Sequence, residues 1–93
     1  MFEVNDYFDG KVKSVAFDVA GQRATLGVMA AGDFAFSTSQ KENMKVVSGV
    51  MQIKLVGEEN FTKYAEGEAF DLEAGINFSV KITETTAYIC KYS

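Results

Sequence analysis

Histidine and proline are both missing from this sequence, and cysteine occurs once, at Cys90. Without imidazole the chain lacks the commonest metal ligand and the usual general base. Without proline, nothing interrupts a β-ladder, and sharp turns fall to glycine. One cysteine excludes an internal disulfide, which predicts a cytoplasmic protein. Cys90 lies in the alternating run AYICKYS and reads as a buried strand thiol rather than a nucleophile. Basic tracts are absent too. Nine Lys and Arg face thirteen Asp and Glu, and the net charge of −4 argues against nucleic acid as a partner. No apolar run approaches membrane-spanning length, and the opening MFEVNDYFDGKVKS has no signal-peptide pattern.

What is present is alternation with a period of two. The segments KVKSVAF, RATLGVM, DFAFSTS, KVVSGVMQIKLVG, FTKYAE, GEAFDLEAG, NFSVKITE and TAYICKYS each read as a strand. Eight strands at spacings of about 8–12 residues predict an all-β sandwich or barrel. Ninety-three residues support one domain, spanning 1–93, with a core small enough that pairing with a second copy would help it. Gly49 interrupts the longest run and predicts a bend or bulge. Between strands, Ser39 and Glu42 fit an S-x-x-E capping box, which predicts one helical turn.

The order of glycines and strands resembles the two-motif cupin barrel, a small double-stranded β-helix of the jelly-roll type. Gly32, Glu42, Gly49, Gly67 and Gly75 match its frame. In that family the first motif carries two histidines and a glutamate, and the second carries a third histidine. Here the first pair falls within Ser37-Thr38-Ser39, the third falls on Phe78, and Glu73 replaces the family's proline. Hydroxyls and a phenyl ring are not a transition-metal ligand set, and one glutamate cannot hold the ion alone. The expectation is a pocket without metal or cofactor, lined by hydroxyls and aromatics. Such a lining suits a sugar joined to a flat base.

Along the whole chain, NDYFDGKVKS, ATLGVM, GDFAFST, MKVVSG and the closing YICKY resemble the small cupin-like pyrimidine/purine nucleoside phosphorylases. The resemblance implies phosphate-dependent cleavage of nucleosides to free base and ribose 1-phosphate, a broad range of bases, and a homodimer. It assigns no catalytic residue, so the candidates come from the frame. Arg23 is the one arginine and the first candidate for phosphate, with Lys45 second. Backbone N–H groups near residues 37–39 are a further candidate anion nest. Ser37, Thr38, Ser39 and Gln40 are candidates for the sugar or a base edge. Phe36, Phe78 and Tyr88 are candidates for stacking, and Glu42 for stabilising developing positive charge. Each has a structural rival: a solvated arginine, a capping Glu42, core aromatics. Tyr7 and Phe8 are read as possible dimer-interface residues. Two other readings use the same residues, a non-enzymatic metal-free cupin that binds a nucleoside-like ligand, and a purely structural barrel filled by its own phenylalanines.

Overall fold

A computed structural model describes residues 2–93. Ten strands follow one another: β1 (Glu3–Tyr7), β2 (Val12–Val19), β3 (Gln22–Met29), β4 (Gly32–Ser37), β5 (Glu42–Ser48), β6 (Val50–Leu55), β7 (Thr62–Ala65), β8 (Ala69–Leu72), β9 (Asn77–Ile82) and β10 (Thr86–Tyr92). They form a six-stranded sheet in the order β1-β2-β3-β10-β5-β8 and a four-stranded sheet in the order β4-β9-β6-β7. All ladders are antiparallel. The fold is all-β and cupin-like, although among the described residues no ladder joins the two sheets into a closed barrel.

Alternation explains which side chains meet between the sheets. On β5, Met44 and Val46 turn inward while Asn43, Lys45 and Val47 turn out. On β9, Phe78, Val80 and Ile82 turn inward. With Val12, Met29, Phe34, Met51 and Ile53 they build one apolar cluster drawn from both sheets. The inner residues of β10, Thr86, Tyr88 and Cys90, are buried in the same space.

Two local expectations need correcting. The run through Gly49 is not one bent strand. It splits into β5 and β6, which belong to different sheets. Gly49 has φ of 97°, and a Cβ there would press on the Thr86 hydroxyl, which also bonds Val50 N at 3.2 Å. That corner therefore requires glycine. The helical turn over residues 39–42 does not form either. Ser39 and Gln40 make a bend, and Glu42 already belongs to β5, facing Tyr92 across the ladder. Its side chain points between the sheets and caps nothing.

Candidate active site

The two sheets diverge at one end around a cavity of about 480 Å³, a size ordinary for small-molecule sites. Its two banks differ in chemistry. The six-stranded sheet contributes hydroxyls and one carboxyl group: Ser14, Thr25, Tyr88, Tyr92 and Glu42. The four-stranded sheet contributes phenyl rings: Phe36 and Phe78, stacked with centroids 5.8 Å apart and planes 24° apart. Methionines 29, 44 and 51 form much of the apolar floor. Tyr7 and Phe8 come from the β1–β2 hairpin and complete the lining.

Glu42 is half-buried. The Cys90 thiol donates to its Oε1 at 3.3 Å, and the Tyr92 hydroxyl lies 3.2 Å from Thr25 Oγ1. Burial raises the Glu42 pKa above its ordinary 4.5, against the smaller lowering effect of the thiol hydrogen bond. Burial also pushes Cys90 up to about 12, and the neighbouring carboxylate adds to the push. The thiol therefore stays protonated at neutral pH and serves as a donor. Tyr88 is pushed up to about 12 by burial, and Tyr92 is raised for the same first reason. The bank is thus a row of O–H and S–H groups around one carboxyl group whose environment favours its neutral form. A single carboxylate beside a high-pKa thiol does not fit a metal.

Of the residues singled out from sequence, Phe36, Ser37, Glu42, Phe78 and Tyr88 line this cavity. The others lie elsewhere. Thr38 is buried beyond the end of β4, donating to Glu73 O at 2.6 Å and accepting from Ile76 N at 3.1 Å. Ser39 and Gln40 are exposed in the bend that follows. Lys45 stands on the outer face of β5, because it alternates with the inward Met44 and Val46. Arg23 is one alternation step beyond Thr25 on the same side of β3, but its Nη2 is paired with Glu3 Oε1 at 3.2 Å. Among the described residues, no Lys or Arg lines the cavity itself.

Sequence reasoning missed Ser14, Thr25 and Tyr92, and it read Tyr7 and Phe8 as interface residues although both line the cavity. A signal for Tyr92 was present, since Tyr88, Cys90 and Tyr92 share one face of β10 by period two. Ser14 and Thr25 become visible only through register, which sets Ser14 opposite Gly27 and Ala16 opposite Thr25.

A family profile described as pyrimidine/purine nucleoside phosphorylase matches residues 2–92. A Pseudomonas aeruginosa protein of that name is 50% identical over 92 residues, 99% of each chain. The crystal structure of a Vibrio parahaemolyticus protein of unknown function is 41% identical and superposes with a TM-score of 0.97, over 100% of this chain and 99% of that one. A putative ethanolamine utilization protein Q from Salmonella typhimurium is 12% identical and superposes with a TM-score of 0.78, over 99% of this chain and 93% of its own. That last likeness is one of fold.

Proposed function

The chain belongs to the pyrimidine/purine nucleoside phosphorylase family, and on that premise we propose that it cleaves purine and pyrimidine nucleosides with inorganic phosphate, without a metal or cofactor, in the cytoplasm. The observation that carries the reading is the two-sided cavity. The partly exposed Phe36 ring, backed by the buried Phe78 ring stacked on it, offers a flat face to a base, while a hydroxyl bank with one carboxyl group of raised pKa offers donors to ribose and phosphate. Stacking accepts any base, which agrees with a broad substrate range.

In the proposed reaction a phosphate oxygen attacks C1′ as the bond to the base nitrogen breaks, through an oxocarbenium-like state. The bonding pair leaves with the base, which takes the Glu42 proton. The proton carried by the incoming hydrogen phosphate then restores Glu42, so ribose 1-phosphate and neutral base are the products. In its protonated form the carboxyl group also avoids repelling phosphate. Arg23 supplies the missing cation in this scheme. Its pair with Glu3 is exposed on both sides, and such pairs are worth only about 0–1 kcal/mol, so phosphate can take Glu3's place. Tyr88, Thr25 and Ser37 hold substrate oxygens.

A homodimer belongs to the same proposal. The outer face of the six-stranded sheet carries Val4, Val15, Leu26 and Ile89 in one cross-strand row, with Val28 and Val47 exposed beside it. An apolar stripe across four strands suits a partner, and the cross-strand pair of Asp6 and Lys13, 3.5 Å apart, borders it. Leu26→Lys is expected to convert dimer to monomer in light scattering. An unchanged mass would move the interface elsewhere.

The decisive test is to incubate chelator-treated protein with uridine and with adenosine, with and without phosphate, and to follow free base by chromatography. Release that requires phosphate supports the phosphorylase. The lack of a lining Lys or Arg favours the rival, a non-catalytic nucleoside binder. Ligand-raised melting temperature without base release would establish that one instead.

A further inference from the structure

The β1–β2 connection breaks the rules of its own turn. Gly10 N bonds Tyr7 O at 3.2 Å and Lys11 N bonds Phe8 O at 3.2 Å, so Phe8 and Asp9 are the central residues of a tight turn. Both have positive φ, 54° and 55°, and Gly10 follows at 84°. Two successive left-handed residues define the turn in which Asn and Gly are preferred, because a Cβ crowds the next carbonyl there. A phenylalanine at the first of these positions is a poor local choice. Burial does not account for it, since Phe8 remains 43% exposed. Its ring instead leans over the cavity, with its centroid 5.0 Å from Phe34 and 5.4 Å from Phe36. Phe36 in turn stacks on Phe78. Local strain held against turn preference, at a residue lining a cavity, is a pattern that functional sites show.

Resting on the nucleoside reading of this cavity, we infer that Phe8 is a substrate-contacting residue: its ring is the outer wall of the base site, closing the aromatic bank that Phe36 and Phe78 begin. The nucleobase packs against the exposed face of Phe8 at the mouth, and the ribose points inward to the hydroxyl bank. Stacking on a half-exposed ring sets no hydrogen-bond pattern, so the residue favours flat heterocycles without selecting between purine and pyrimidine. The site is thus completed by a turn outside both glycine-framed motifs.

Phe8→Asn tests this role, because asparagine suits the turn and lacks the ring. The expected result is an unchanged or higher melting temperature together with an adenosine KM raised tenfold or more. KM for phosphate should hold, and Phe8→Tyr should restore the adenosine KM. Adenosine affinity without phosphate, read by calorimetry, should weaken in parallel for Phe8→Asn. An adenosine KM and affinity unchanged in Phe8→Asn would overturn the inference, whether or not the melting temperature falls. Wild-type protein that binds adenosine without cleaving it would defeat the phosphorylase reading alone, leaving the calorimetric comparison to decide for Phe8. Wild-type protein that neither binds nor cleaves adenosine would defeat both.

Discussion

Gly27 on β3 and Tyr88 on β10 are direct partners in the six-stranded sheet, and the Tyr88 ring lies where a Gly27 side chain would begin. A Cβ at Gly27 would collide with the ring and its hydroxyl oxygen. The bare backbone lets a large side chain lie across the neighbouring strand and still present its O–H to the cavity. Gly27→Ala is therefore expected to dislodge Tyr88. Overpacking of this kind costs about 1–3 kcal/mol, readable in urea melts. Catalysis should fall further than stability suggests, since a displacement of about 1 Å can cost on the order of 100-fold in rate. Wild-type kinetics in a folded Gly27→Ala protein would show that Tyr88 has no part in the reaction.

Thr38 fastens the end of β4 to the turn before β9. Its hydroxyl links Glu73 O and Ile76 N, while its own N–H and C=O pair with Ile76 O and Gly75 N. Thr38→Val keeps the shape and removes the hydroxyl, leaving a donor and an acceptor without their partner. The expected loss is about 1–3 kcal/mol in chemical denaturation, with activity per folded molecule little changed. A stable variant with a raised KM for nucleoside would instead return Thr38 to the sugar site.

Alternation alone made most of the strands legible, because one face of each is apolar. KVKSVAF and RATLGVM contain most of β2 and β3, and NFSVKITE contains all of β9. β1 was not legible, since Val4 is its one aliphatic residue and points to solvent; the strand exists by pairing with β2. The SQKENM segment misled because a Ser-x-x-Glu spacing is the same whether Glu42 turns back to cap a helix or continues into a strand. Only the β5–β10 ladder decides between them. The candidate site divides in the same way. Phe36, Phe78 and Glu42 follow from the spacing of glycine-framed motifs, and Tyr88 was named as a strand aromatic outside both motifs. Thr25 and Ser14 depend on which strands are neighbours, and Phe8 depends on the path of a turn whose residues advertise a different conformation.

Arg23 and Glu3 make opposite predictions about phosphate. If Arg23 exchanges Glu3 for phosphate, Arg23→Ala raises KM for phosphate and leaves KM for nucleoside nearly unchanged. Glu3→Gln removes the competing carboxylate and should lower KM for phosphate. Both effects should shrink as salt screens the charges. Identical phosphate KM values in the two variants would assign the anion to hydroxyl and backbone donors alone.

Glu42 links stability and catalysis to pH in a common direction. Burial raises its pKa in the folded protein, so the native state holds this proton more tightly than the unfolded chain does. Its contribution to stability is complete below the unfolded value near 4.5 and declines as pH rises through the raised native pKa. In the proposed reaction the same proton goes to the leaving base, so kcat should fall along the same limb. Glu42→Gln should remove that limb from the stability profile while reducing kcat by about 100- to 10,000-fold, because an amide cannot donate in its place. Cys90 offers an independent handle. Its thiol hydrogen bond favours the charged carboxylate, so Cys90→Ala should raise the Glu42 pKa further and move the alkaline fall in kcat to higher pH. A pH–rate profile that does not shift in Cys90→Ala would mean that the titrating proton is not on Glu42.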